Sequence, residues 1–225
     1  MKTSKVALII YFFCCFLAVL ADMLRSETLK LVSVPLIIPI ISFYYLIETK
    51  NKDYSLLLFL LCCFIGDSIG IMNFENEVYY ILAPFFIGNL LLLRMAFQSL
   101  ERFKFKIFNI LSLVILVSFV GYLWYSIVDL FLFHELLIRI LIIIYGGLLF
   151  FVTAIAGYNL IWKMNNANLF LGIAVTCIVV SDCFYIVYNY QTQLVVLDVL
   201  HFLAQLLSYY FVTKYVLTNE ASKRV

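Results

Sequence analysis

Charged residues are scarce in this sequence: of its 225 residues, 12% are Lys, Arg, Asp or Glu, whereas 66% are hydrophobic. This composition leaves too little polar surface to cover a soluble globule. The formal net charge is only +2, and no run of basic residues is typical of nucleic-acid binding. The sequence therefore predicts a membrane protein in contact with the lipid bilayer, without a nucleic-acid partner.

The motifs of several large enzyme classes are also absent from the sequence. It contains no H-E-x-x-H zinc motif, no G-x-S-x-G nucleophile motif and no glycine loop for phosphates. A metalloprotease, a serine hydrolase and a nucleotide-driven pump are thus unsupported. None of the six cysteines forms a C-x-x-C pair, and all lie in apolar segments, so we predict packing roles for them and neither a metal nor a cofactor.

Long hydrophobic runs, separated by short polar breaks, fill the chain from end to end. Each run is close to the length of about 17–25 residues that a helix needs to cross a bilayer. We therefore predict an all-α, polytopic helix bundle that forms a single membrane domain over residues 1–225, and we expect the first helix to be retained rather than cleaved as a signal. The eight predicted spans are approximately residues 5–21, 28–47, 54–72, 78–98, 105–126, 135–160, 167–189 and 193–217.

The positive charges are distributed unequally between the two sides of the predicted bundle. With the N-terminus inside, three cations fall outside, namely Arg25, Lys30 and Arg139. The positive-inside rule then places both termini in the cytoplasm, and we expect a bacterial inner membrane. The inner cations are Lys2, Lys5, Lys50, Lys52, Arg94, Arg102, Lys104, Lys106, Lys163, Lys214, Lys223 and Arg224.

Two aspartates lie deep inside apolar spans, each directly after a small residue: Gly66-Asp67 in the third and Ser181-Asp182 in the seventh. A charged Asp near the centre of a membrane helix costs about 2.5–3.5 kcal/mol on insertion scales, so such residues tend to be functional. Both spans run in the same direction, and both carboxyl groups fall roughly two thirds of the way across at about 1.5 Å per residue. We expect a shared polar site in which one carboxyl group stays protonated and the other is ionised.

Two buried amides follow these aspartates at nearly equal intervals. Asn89 comes 22 residues after Asp67, and Gln205 comes 23 residues after Asp182. The similar surroundings of the amides suggest a parallel internal repeat of four helices plus four, a hypothesis that places a site at the interface of the repeats. His201 lies one turn before Gln205 and shares its helix face. We expect these three side chains to line the same cavity, the alternative being ordinary packing and interhelical hydrogen bonds.

Two prolines, Pro35 and Pro39, are expected to break or kink the second span. Lys30 lies just before them, where its long stem could carry the ammonium group towards the site or into the headgroup layer.

Taken together, these residues resemble the YhhN family of eight-span membrane proteins, the bacterial relatives of animal lysoplasmalogenase. The resemblance extends over most of the chain, although the fifth and sixth spans add little. The matching motifs are Val34-Pro35-Leu36, Gly66-Asp67, Phe86-x-Gly88, Ser181-Asp182 and Ala204-Gln205-Leu206-Leu207.

The resemblance implies hydrolysis of the vinyl-ether bond of a lysoplasmalogen, a membrane lysolipid, to a fatty aldehyde and a glycerophospho headgroup. Asp67 and Asp182 would then act as general acid and base, in an order left open here. Two departures indicate a divergent member: Val34 stands where the family usually has Lys before the proline, and residues 78–98 lack the histidine that the family tends to have.

Two other functions agree with the same residues. In a small transporter or sensor, the two aspartates bind a cation or relay protons. In a membrane scaffold, they only lock helices together. The sequence leaves the oligomeric state open.

Overall fold

The structure is a computed structural model that describes residues 3–72, 77–100, 106–132 and 135–222. Within these ranges the chain forms eight α-helices and no strand. The helices are α1 (Thr3–Met23), α2 (Glu27–Glu48), α3 (Tyr54–Ile71), α4 (Glu77–Gln98), α5 (Ile107–Leu130), α6 (Leu136–Trp162), α7 (Asn166–Tyr190) and α8 (Val195–Ser222).

All eight helices in the described part of the chain are long and apolar enough to cross a membrane. The predicted all-α bundle of eight helices is thereby confirmed, and the chain is an integral multi-pass membrane protein. Two helices extend beyond their predicted membrane spans: α5 continues past residue 126 to Leu130, and α8 continues past residue 217 to Ser222. Hydropathy locates the apolar part of a helix, whereas the backbone hydrogen bonds continue through polar residues such as Asp129.

Helix α2 remains continuous through Pro35 and Pro39, so of the expected break or kink in this span the break does not occur. Polar side chains begin two of the other helices. The Asp53 carboxylate accepts a hydrogen bond from the Ser55 backbone N–H at 2.8 Å, and the Asn165 side chain accepts one from the Asn168 N–H at 2.7 Å. These N-caps satisfy amide groups that have no partner within the helix.

The helices pack mostly as consecutive hairpins, with two helices in central positions. Helix α8 contacts α1, α2, α3 and α7, and helix α6 contacts α4, α5 and α7. In a repeat of four helices plus four, α2 is equivalent to α6 and α4 is equivalent to α8. The contact between α2 and α8 then corresponds to the contact between α6 and α4. Helix α5 is the least buried of the eight and contacts α6 and α7. The large core contains buried residues of α1 to α4 and of α6 to α8, including the fully buried rings of Tyr11, Tyr45, Tyr209 and Tyr215.

Several residues used in the sequence analysis lie outside the described part of the chain. They include parts of the polar breaks at 73–76 and 101–105, and His134 just before the sixth predicted span. The same holds for some of the cations counted on the inner side, namely Lys2, Arg102, Lys104, Lys223 and Arg224.

Candidate functional site

A cavity of about 330 Å³ lies inside the bundle and is lined by residues of α2 to α8. Its wall is mainly apolar, as in most small-molecule sites. Asp67 of α3 and Asp182 of α7 both line it, so the fold brings the two intramembrane aspartates to one cavity. Its charged, imidazole and amide lining groups are Lys30, Asp67, Asp182, Asn189, Asp198, His201 and Gln205.

Asp67 is held by two side chains of helix α8. The amide Nε2 of Gln205 donates to Oδ1 of Asp67 at 2.7 Å. The hydroxyl group of Tyr209 lies 3.0 Å from Oδ1 and 2.9 Å from Oδ2, and it accepts a hydrogen bond from Gln205 Nε2 at 2.9 Å. Because Gln205 and Tyr209 are four residues apart, they lie on one helix face and reach the same carboxyl group.

Asp182 is held by a tyrosine of helix α6. The hydroxyl group of Tyr145 donates to Oδ2 of Asp182 at 2.8 Å, and the amide Nδ2 of Asn89 donates to the Tyr145 oxygen at 3.1 Å. Asn89 is buried and lines a smaller cavity of about 20 Å³ together with Tyr145, Asp182, Gln205 and others. The structure therefore links Asn89 to Asp182 through Tyr145 rather than directly.

The two networks have the same chemical order: an amide donates to a tyrosine hydroxyl group, which donates to an aspartate. They also cross between the two halves of the chain. Asp67 of the first half is held from α8, whereas Asp182 of the second half is linked to Asn89 of α4. Each aspartate is thus connected to the amide that follows the other aspartate in the sequence.

His201 lies at the same cavity as Gln205, one turn away on α8. Its Nδ1 atom is 2.9 Å from Oγ and 3.0 Å from the carbonyl oxygen of Ser181, the small residue that precedes Asp182. The ring centroid of Tyr185 is 5.1 Å from that of His201. These contacts fix the imidazole against α7, so that its orientation is set by the helix that carries Asp182.

Lys30 also lines the cavity, one turn before Val34, which lines it too. Its ammonium group forms an ion pair with Asp22, with 2.7 Å between Nζ and Oδ1, and lies 5.5 Å from the ring centroid of Phe202. The other oxygen of Asp22 is buried and has no hydrogen-bond partner among the described residues. Lys30 therefore contributes a cation whose charge is already matched by a buried carboxylate.

The residues of this site that were missed in the sequence include Tyr145, Tyr209, Trp124 and Asp198. The spacing of Tyr209 from Gln205, and of Asp198 from His201, could have shown that each pair shares a helix face. Nothing in the sequence distinguishes Tyr145 from the other 15 tyrosines. The indole of Trp124 packs so close to Gly146 that a Cβ atom there would lie 2.6 Å from Cδ1.

Comparisons of the chain with protein-family models, with curated proteins and with solved structures find no match. Among the residues that the structure describes, no group of three or more His, Cys, Asp or Glu side chains is placed to hold a metal ion. All six cysteines are free thiols. Fold and site together define a polytopic membrane protein with a carboxyl pair in a mainly apolar intramembrane cavity; the resemblance to the YhhN family stays a prediction.

Proposed function

We propose that the chain is a divergent member of the YhhN family and hydrolyses the vinyl-ether bond of a lysoplasmalogen-type lipid. The observation that carries this proposal is that Asp67 and Asp182 line one mainly apolar cavity inside the membrane-spanning bundle. A lysolipid offers both an apolar chain for such a wall and an acid-labile bond near its polar end. Two carboxyl groups can supply the general acid and the general base that hydrolysis of this bond requires.

The reaction needs one proton donor and one proton acceptor. A carboxylic acid transfers its proton to the vinyl carbon furthest from the ether oxygen, which leaves an oxocarbenium cation. The other carboxyl group, ionised, stabilises this cation and takes a proton from the water that adds to it. The resulting hemiacetal collapses: its hydroxyl proton is lost as the C–O bond to the glycerol breaks, and the glycerol oxygen takes up a proton. The products are a fatty aldehyde and a glycerophospho alcohol.

The other lining residues provide orientation in this proposal. Gln205 and Asn89 hold the two carboxyl groups, directly or through a tyrosine. Lys30 and His201 lie at the same cavity and are candidates for contacts with the glycerol or the phosphate group. No cofactor takes part in the proposed steps.

The test is an assay of aldehyde release from lysoplasmenyl-ethanolamine by the purified protein in detergent. We expect Asp67→Asn and Asp182→Asn each to lower kcat by about 10²–10⁴-fold, the usual contribution of a general acid or base. Asp129→Asn is the matched control, because Asp129 is exposed on α5 and does not line the cavity. Turnover that survives both cavity substitutions rules out the acid and base roles.

A second function is favoured by the crossed arrangement of the two networks. Sites at the interface of repeated halves are typical of transporters, and the hydrogen bonds of Asp67 and Asp182 both connect the two halves of the chain. In this case the carboxyl groups relay protons or bind a cation. Proteoliposomes would then show proton or cation flux that Asp67→Asn abolishes, and the aldehyde assay would show no product.

We also propose that both termini face the cytoplasm of a bacterial inner membrane. The support is the excess of Lys and Arg in the breaks assigned to the inner side. Fusions of alkaline phosphatase or a fluorescent protein to the C-terminus test this orientation. A C-terminal phosphatase fusion that is active outside the cytoplasm would overturn it.

A further inference from the structure

The two carboxyl groups of the cavity differ in the number of hydrogen-bond donors that contact them. Asp67 receives two: one from Gln205 Nε2, and one from the Tyr209 hydroxyl group, which lies within 3.0 Å of both carboxyl oxygens. Asp182 receives one, from Tyr145 to Oδ2. An ionised carboxylate is acceptor-only and is stabilised by each donor, so these surroundings suit a charge on Asp67 better than on Asp182.

The amide groups fix the direction of both hydrogen-bond chains. Because the Tyr209 oxygen accepts from Gln205 and the Tyr145 oxygen accepts from Asn89, each hydroxyl proton is left to be donated to an aspartate. Because each hydroxyl proton lies between the tyrosine oxygen and its aspartate, a carboxyl proton cannot occupy the same hydrogen bond. A proton on Asp182 must therefore lie on Oδ1, the oxygen to which Tyr145 does not donate.

The surrounding charges support one negative charge rather than two. Within the described ranges, no cation lies at ion-pair distance from Asp67 or Asp182, and the ammonium group of Lys30 is paired with Asp22. The other titratable groups at the cavity are Asp198, His201, Cys183 and several tyrosines, and the Cys63 thiol interacts electrostatically with both aspartates. Two ionised carboxylates at this cavity would therefore both lack a counter-charge.

We propose that Asp67 carries the charge and acts as the base, and that Asp182 is the protonated general acid. Tyr209 is the positioning residue that favours the charge on Asp67, and Tyr145 positions the carbonyl oxygen of Asp182. The catalytic roles rest on the proposed function, whereas the protonation states do not. Asp182 gives its proton from Oδ1 to the vinyl carbon. Asp67, held by Gln205 and Tyr209, stabilises the cation and takes the proton from water; solvent then restores both states.

Infrared spectroscopy of the reconstituted protein, without substrate, tests the protonation states. A protonated carboxyl group has a C=O stretching band, and subtracting the spectrum of Asp182→Asn isolates the band of Asp182 from those of other acids. We expect this band at neutral pH. We expect Tyr145→Phe to move it to higher frequency, because the carbonyl oxygen loses its donor, and Tyr209→Phe to leave its position unchanged.

Both substitutions keep the aromatic ring, and gel filtration in detergent checks that each variant is folded. If Tyr209→Phe does not fold, Gln205→Leu removes the other donor to Asp67 and is read in the same way. The absence of the band in the wild-type protein, or a shift caused by Tyr209→Phe, overturns the assignment. A protein that shows the expected band but releases no aldehyde disproves the proposed function and leaves the protonation states established.

Discussion

Lys30 of α2 forms an ion pair with Asp22 at the end of α1, with 2.7 Å between Nζ and Oδ1. The Asp22 side chain is only 5% exposed, whereas that of Lys30 is 33% exposed. Asp22 Oδ2 has no hydrogen-bond partner in the described part of the chain, so Lys30 is its main compensation. The pair joins α1 to α2 at the edge of the cavity.

We therefore expect Lys30→Met to destabilise the protein through Asp22. Removing one partner of a buried ion pair costs about 3–5 kcal/mol, and the partial exposure of Lys30 reduces this to about 2–3 kcal/mol. Unfolding in mixed micelles with increasing fraction of a denaturing detergent measures the change. Asp22→Asn in the Lys30→Met background should recover most of the loss, since no unpaired charge then remains buried. A double variant as unstable as Lys30→Met alone would contradict this explanation.

A second prediction concerns the glycine beside Asp67. A Cβ atom on Gly66 would lie 2.8 Å from two ring atoms of Phe85, whereas one on Gly70 would lie 3.5 Å from its nearest neighbour, Ile81 Cδ1. Both glycines line the cavity. We expect Gly66→Ala to displace the Phe85 ring and cost about 1–3 kcal/mol by overpacking. Gly70→Ala is the matched control, and its higher helix propensity should make it neutral or slightly stabilising. Equal stabilities of the two variants in the same unfolding assay would show that the Phe85 contact does not limit packing.

Much of the fold could be predicted from the sequence because each helix must be apolar over the thickness of the bilayer. All eight helices were found in this way, and most ends agree within two or three residues. The clearest differences, at the ends of α5 and α8, occur where polar residues continue a helix beyond its apolar part. Hydrophobicity does not predict such extensions, because they depend on backbone hydrogen bonds and on contacts such as those of Glu220.

The candidate site could be predicted only in part. A carboxyl group in an apolar span is conspicuous because its desolvation is costly, so Asp67 and Asp182 were found, and the fold places them at one cavity. The tyrosines that hold them were missed, because a tyrosine in a membrane helix costs little and is common here. Each aspartate is connected to the amide from the other half of the chain. This pairing depends on how the helices cross, and sequence spacing does not determine it.

The carboxylate of Glu220, near the end of α8, contacts the last turn of α2 and the residue that follows it. Glu220 accepts hydrogen bonds from the hydroxyl groups of Tyr45 and Thr49, at 3.0 Å for Tyr45, and the Tyr45 oxygen also accepts from the Asp53 N–H at 2.6 Å. We expect Glu220→Ala to cost about 1–3 kcal/mol, because it removes the charged acceptor of the Tyr45 and Thr49 hydroxyl groups and leaves them only the carbonyl oxygen of Asn51.

Hydrogen exchange read by mass spectrometry localises the effect of Glu220→Ala. Amide protection should fall over residues 45–53 and at the end of α8, and it should be unchanged at the cavity. Lys50→Ala serves as the control, since Lys50 is exposed in the loop between α2 and α3. Uniform loss of protection throughout the bundle would show that Glu220 supports the whole fold rather than this contact.

The last prediction uses a native thiol to report on the cavity. Cys183 lines the cavity and is half-buried, whereas Cys14 is buried in α1 and does not line it. In variants that retain one of these cysteines, with the other five changed to Ser, a small charged methanethiosulfonate should modify Cys183 and leave Cys14 largely unreacted. Lysoplasmenyl-ethanolamine, added before the reagent, should slow the modification of Cys183 if the lipid occupies the cavity as proposed. Modification at the same rate with and without the lipid, in a variant that still releases aldehyde, would place the substrate elsewhere in the bundle.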